Sequence, residues 1–397
     1  MKLATLRDGS RDGRLIVVSR DLSRAAPVPQ VKTLQDVLDD WEAIAPDLEL
    51  LSQKLNEGRV AGTLAFDPAD CLSPLPRAYQ RIEGAAYPSH LERLQRARGG
   101  AAPEPSSSRQ PLIRQRGSDS FLAPRDAIPL LDAAWGLDLE AGVAVIIGDV
   151  AMAAGGAQVA HAVRLVMLVN GISLRNLAAH AGTGGVGFQA SPSAAFSPCA
   201  VTPDELDAHW DGSHLHRRLQ VQVNGRRLGE PDAGRDVQFG FPQLLVHAAK
   251  TRPLVAGTIV GGGAVSNRDD GCGYSSLAEL RAAEMLQHGQ PRTPYLADGD
   301  RVRIEVLDEH GASIFGAIEQ AVPHGSGFQT TGFGRGRRRG GRDPGSWENP
   351  PASVDTALLS IANGINANGT AEVRNGAKLT LDGSAAPTVF TGINVGT

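Results

Sequence analysis

Cysteine is scarce: Cys71, Cys199 and Cys272 are the only three in 397 residues, too widely spaced for a disulfide framework or a zinc knuckle. They read as isolated small hydrophobes, which suits a reducing compartment. Aromatic residues make up 5% of the chain. No run of about eighteen apolar residues occurs, which excludes an ordinary membrane-spanning helix. No secretory pattern develops after Met1, because Lys2 and a short apolar group give way to Asp8, Ser10 and Asp12. Neither sign of charge dominates. The formal balance of -4 provides no general attraction to nucleic acid. What is present, 41% apolar and 21% charged residues, suffices for a sizeable core, one or two domains and a tail, in a soluble cytoplasmic protein.

Along the chain, GRLIVVSR over 13–20 reads as an early strand. Leu34, Val37, Leu38, Trp41 and Ile44 at helical spacing, followed by Leu48, Leu51 and Leu55, predict two helices broken near Pro46. A small N-terminal domain is expected over 1–75. Strand signals recur at 143–147, 165–169, 219–223 and 302–306, and Asn224-Gly225 between QVQV and RRLG is a hairpin signal. The region around 235–250 turns helical near its end. Strands outweigh helices, so a mainly β fold with some α (α+β) is expected over 76–325. The glycines at 261–263 lack GxGxxG spacing, which argues against a nucleotide-binding fold. Residues 326–350 contain GFGRGRRRGGRDPG, a flexible linker by composition. Its arginines at 335–342 could touch nucleic acid, but no aromatic platform accompanies them, and such contact is not expected. Residues 351–397 form a low-complexity tail or a small β extension, with a hairpin signal at Asn375-Gly376.

Four segments could carry chemistry. In EGAAYPSHLERLQRARG, Ser89 and Glu92 predict a capping box, which puts His90 in a helix's first turn, either as a base or as a surface histidine beside a cap. Asp138 and Glu140 share a strand face by the two-residue period, as ligands for a hard divalent ion or as solvated edge acids. The strand LVMLV is expected to end in Asn170-Gly171, followed by Arg175, which could hold a carboxylate through a forked pair of hydrogen bonds. GGGAVSNRDDGCGYSSLAE provides glycines for close approach to a ligand and places Glu279 at a helix start, where it could orient His90.

Taken with GSDSFLAPRD, FSPCAVTPDEL, HAAKTRPLVAGTIVGGGAVSN and SIFGAIEQ, these segments run in the order of the fumarylacetoacetate hydrolase family, and the chain resembles its bacterial members with an N-terminal extension. The resemblance spans about 1–322. It implies a mixed β-sandwich roll, a homodimer, and Mg²⁺, Mn²⁺ or Ca²⁺ held by acidic side chains. It also implies cleavage of a C–C bond in a small 2,4-diketo acid. By this resemblance His90 is the water-activating base, Glu279 its orienting carboxylate, Arg175 a substrate-facing residue, and Glu83 and Glu140 the metal ligands.

Several of the family's positions are changed here. Glu83 stands where a metal-binding Asp is expected, Gly142 replaces a paired Glu, and Gly171 replaces an Asp. Ser191 replaces a lysine, Ala264 a threonine, Arg114 a tyrosine and Arg116 a glycine. These changes leave two readings open: a metal-assisted hydrolase, or an impaired homologue that binds a small acid or serves a structural role.

Overall fold

A computed structural model describes residues 1–100, 110–159, 161–180, 188–323, 370–373 and 377–380. The N-terminal strands Lys2–Leu6, Arg14–Val18 and Arg24–Pro27 pair antiparallel. Their alternation serves two cores. Leu3, Leu15, Val17 and Ala26 face one cluster together with the following helices, while Ala4, Ile16, Val18 and Ala25 face another that contains Cys71 and Cys199. The helices are Leu34–Asp39, with a Thr33–Asp36 capping box, and Trp41–Asn56. The break therefore falls at Asp40, not near Pro46. Asp40 leaves the helical region (φ −136°, ψ 49°) and its carbonyl accepts from the N–H groups of Ala43 and Ile44, restarting the helix. Pro46 forfeits one backbone bond inside that helix. Burial of Ala45, Leu48 and Leu55 keeps the helix continuous through it.

Two long strands, Leu137–Ile147 and Val163–Leu174, form the centre of a twelve-stranded sheet. They pair antiparallel from Leu137↔Leu174 to Ile147↔Val163 and are buried on both faces. Leu139, Val143, Val145 and Leu168 go to one cluster, and Ala144, Ile146, Leu165 and Met167 to the other. The strand expected to stop at Asn170-Gly171 continues to Leu174, because pairing with Leu137–Glu140 and with Ala194–Phe196 satisfies its backbone there. Towards the chain's start, Cys199–Val201 joins Val163–Leu174 to Lys2–Leu6, so one sheet runs from the main body into the N-terminal segment. On the other side follow Ile259–Ala264, Arg81–Gly84 and Ile113–Arg116.

A second sheet contains Arg226–Gly229, Gln220–Val223, Arg301–Glu305 and Ile318–Ala321. Asn224 and Gly225 turn its hairpin with φ of 53° and 71°, both in the left-handed region. The fold is thus the expected mixture of β with α, two sheets and a small N-terminal part. No described helix is long and apolar enough to cross a membrane.

Residues 337–397 form a separate unit. In it Thr370–Val373 and Ala377–Thr380 pair antiparallel. The Gly/Arg-rich linker at 326–350, its arginines included, lies outside the described residues, as does the rest of the tail.

Candidate active site

His90 sits on the helix Pro88–Ala97, which begins with proline at its first position, where no N–H is needed. The expected capping box does not form. Tyr87 occupies the cap position, and Ser89, now inside the first turn, bonds instead to the Ser266 hydroxyl at 2.7 Å. That contact draws the helix against the loop before Leu277–His288. Glu279 enters from this second helix, whose cap is Ser276 accepting the Glu279 N–H. The carboxylate of Glu279 is fully buried, and its Oε2 stands 3.1 Å from Nδ1 of His90. Its Oε1 accepts from Ser266 Oγ at 2.5 Å and from Arg93 Nη1 at 2.6 Å. Burial alone would raise its pKa, but the bond and charge of His90, the Ser266 hydroxyl and Arg93 outweigh burial and lower it. An ionised carboxylate only accepts, so Nδ1 carries the proton and Nε2 is left as the basic nitrogen.

Arg93, one turn beyond His90, also donates to the carbonyls of Asn267 and Arg268 and to Asp270 at 2.7–3.2 Å. Sequence reasoning missed Arg93 and Ser266. The three-residue step from His90 to Arg93 placed both on one helix face and could have flagged the arginine. Ser266 had no comparable signal.

A second cluster lies on the central sheet. Asp138 and Glu140 face the same side, opposite Ser173 and Gly171 in register. Both are engaged by Arg175: Nε donates to Asp138 at 2.9 Å, and Nη2 lies 2.8 Å from Asp138 and 2.7 Å from Glu140. Ser173 adds a 2.6 Å bond to Glu140. Burial would raise the Glu140 carboxyl, yet Arg175, His90, Ser173 and Arg116 together bring its pKa down to about 2. Asp138, fully buried, also accepts the N–H groups of Leu277 and Ala278, so it caps the helix that carries Glu279. Neither acid is a solvated edge group. Glu83, on Arg81–Gly84, is bonded by Arg81 at 2.8 Å and lies 3.7 Å from Nε of Arg116 on the neighbouring strand. The glycines at 261–263 serve chain packing in this structure. A Cβ at 261 would meet Glu83 at 3.1 Å, and one at 263 would lie 2.7 Å from the Gly84 carbonyl.

Residues 1–77 match the model of the fumarylacetoacetase N-terminal domain 2, and residues 82–323 match that of the fumarylacetoacetate (FAA) hydrolase C-terminal domain. The chain belongs to the fumarylacetoacetate hydrolase family. Solved structures with the same fold include a protein assigned as HpcE from Mycobacterium smegmatis, 19% identical with a TM-score of 0.56, covering 81% of this chain and 99% of the other. Maleylpyruvate hydrolase from Sphingobium sp. SYK-6, in complex with manganese(II) ion and pyruvate, is 16% identical with a TM-score of 0.53 and the same coverage. A protein assigned as a 2-hydroxyhepta-2,4-diene-1,7-dioate isomerase from Mycobacterium abscessus is 20% identical with a TM-score of 0.51, covering 81% of this chain and 98% of the other. Curated proteins gave no match.

Family membership raises the question of a divalent ion, and the donors at Glu83 and Glu140 do not fit one. A hard ion of this kind takes about six or more oxygens. At 142 no side chain can be seated, since a Cβ would lie 2.5 Å from the Gly263 carbonyl. At 171 a Cβ would stand 3.9 Å from Glu140 Oε2, so the acid replaced there would have pointed beside Glu140. The two carboxylates that remain are held by Arg81, Arg116 and Arg175. Among the described residues, the only His/Cys/Asp/Glu cluster close enough to share an ion is Asp211, His214 and His216, which is largely exposed and separate from these acids. At Glu83 and Glu140, the expected metal ligands, arginines lie against one oxygen of each acid, Oε2 of Glu83 and Oε1 of Glu140.

Proposed function

We propose that this family member is a hydrolase of a small 2,4-diketo acid, with His90 as its base. The observation that carries this reading is the 3.1 Å contact between His90 and Glu279, residues 189 positions apart, with every other oxygen bond of Glu279 already made. A carboxylate so fixed does one thing for the ring: it keeps the proton on Nδ1 and turns Nε2 outward. Nε2 takes a proton from water as the oxygen attacks the 4-keto carbon. The alkoxide that forms collapses, the bond between that carbon and C3 breaks, and C3 leaves with the electron pair as the enolate of pyruvate. The imidazolium returns the proton to C3. One water is consumed, and a carboxylic acid and pyruvate are released.

Arg175, the residue expected to face substrate, brings a positive charge to the site. Its pKa is raised by Glu140 and Asp138 against the effect of burial, so it remains a fixed positive charge under the site. The keto-acid class also agrees with maleylpyruvate hydrolase, whose structure contains pyruvate. Homodimer formation is part of the proposal and is checked by light scattering.

Release of pyruvate from acetylpyruvate by the full chain tests the reading. Turnover that is lost in His90→Ala is expected. A folded chain that releases no pyruvate from acetylpyruvate or longer diketo acids would overturn it in favour of an acid-binding homologue.

A further inference from the structure

Arg81 is paired with Arg116 across neighbouring strands, and Glu83 with Arg114. These four residues share one edge of the sheet beside Glu140, Asp138 and Arg175. Four guanidinium groups thus meet three carboxylates, an excess of one positive charge before any ligand arrives. Arg114 belongs to this group electrically. Burial lowers its pKa, Arg116 and Arg175 lower it further, and Glu140 and Glu83 oppose them. Arg116 also reaches the place of a second missing charge. Its Nη1 donates to the Ser191 hydroxyl, where the family resemblance led us to expect a lysine.

The cluster retains donor capacity. Nε of Arg116 is buried without a hydrogen-bond partner, and it lies 3.7 Å from Glu83, beyond bonding distance. Nη2 of Arg175 is within ion-pair distance of both acids but is aligned with neither as a hydrogen-bond donor. Buried N–H groups left in this way are costly unless something accepts from them. The acceptor that suits forked, planar, positively charged donors is a carboxylate or the enolate oxygen of a keto acid.

We propose that Arg116 and Arg175, supported by Arg81 and Arg114, replace the divalent ion of this site, so that the chain binds a small oxo acid or dicarboxylate directly and without metal. This deepens the hydrolase reading and rests on it for the position of the ligand beside His90. The charge a metal would contribute is covalently part of the chain. A divalent cation arriving there would meet an excess of guanidinium.

Calorimetry on the full chain tests this with oxalate and pyruvate as probes, each in EDTA and again with Mn²⁺. Manganese alone is followed separately by the magnetic resonance signal of the free ion. Equal anion affinity in both buffers and no depletion of free Mn²⁺ at the Glu83–Glu140 site are expected. Arg116→Gln should weaken oxalate binding by about ten- to a hundredfold, the loss of one charge-assisted bond. Mn²⁺ uptake by the unmodified chain that Glu83→Gln abolishes would overturn the proposal. Anion binding that requires Mn²⁺, or no binding of either probe, would overturn it too. The converse variant, Arg116→Gly with Gly171→Asp, restores a carboxylate and removes a guanidinium. It should take up Mn²⁺ where the parent does not. Because binding is read without turnover, metal-free oxalate binding by a chain that releases no pyruvate would sink the hydrolase reading and leave this one standing.

Discussion

Nη2 of Arg175 lies 2.7 Å from Oε1 of Glu140, a contact made at the junction of the longest strand, Val163–Leu174, and the helix that follows it. The strand register contributes to it: Asp138 and Glu140 sit two residues apart on one strand, opposite Ser173 and Gly171, so both face the side that Arg175 reaches. The pair has consequences for stability as well as for the site.

Acid should destabilise the fold through Glu140. Its carboxyl is lowered from 4.5 to about 2, so the folded state favours the ionised form. That contribution is fully present above the unfolded value and is lost as the pH falls from about 5 towards 2. By linkage it amounts to roughly 3 kcal/mol for one such group. Glu279, also lowered, acts in the same direction. Urea midpoints measured across this range should fall, and Glu140→Gln should flatten the fall.

Removing the cation should cost more than removing one of its partners. Arg175→Met leaves Asp138 and Glu140 buried beside each other without the guanidinium that lies against both, and about 3–5 kcal/mol of stability should be lost. Chemical denaturation at neutral pH measures it. A shift under 1 kcal/mol would mean that water, not Arg175, balances these acids.

Two neighbouring glycines should behave differently. Gly142→Ala places a methyl 2.5 Å from the Gly263 carbonyl, which is backbone and cannot turn away, so about 1–3 kcal/mol should be lost. At Gly171 the nearest atom to an added methyl is Glu140 Cβ at 3.4 Å, ordinary contact, and Gly171→Ala should change stability by less than about 0.5 kcal/mol. Equal losses at both positions would contradict the bulge between Gly261 and Ala264 that makes the difference.

Arg93 should act through Glu279. In Arg93→Met the buried carboxylate loses a 2.6 Å partner, the ring loses its firm orientation, and kcat should fall by about tenfold with KM nearly unchanged. Arg93→Lys should restore part of the loss. His90→Ala should cost about 10²–10⁴ in kcat, the usual worth of a general base. A larger effect on KM than on kcat in Arg93→Met would place that side chain against substrate instead.

Much of the architecture was legible in local pattern. The 13–20 strand, the hairpin at Asn224-Gly225 and the helix near 241–248 each follow from a signal within a few residues, and the ordered motifs led to the family. Pattern placed His90 and Glu279 near helix starts, and their roles as base and orienting carboxylate came from the family resemblance. The failures were also local in origin. Pro46 signals a break to any reading of nearby residues, but burial of Ala45, Leu48 and Leu55 on a distant strand layer keeps the helix whole. Ser89 and Glu92 spell a capping box, but Ser266, far along the chain, takes the hydroxyl.

What the sequence by itself determined is therefore the inventory: which strands alternate, which turns close, which carboxylates are missing and which arginines have appeared. Only the tertiary structure decided what those arginines do. Arg81, Arg116 and Arg175 come from three separate segments, and it is the pairing of the Arg81–Gly84, Ile113–Arg116, Leu137–Ile147 and Val163–Leu174 strands that brings them beside Oε2 of Glu83 and Oε1 of Glu140. Charge acts over ångströms, not over residue numbers, so a list of losses along the chain could not reveal that guanidinium groups lie beside the carboxylates that remain.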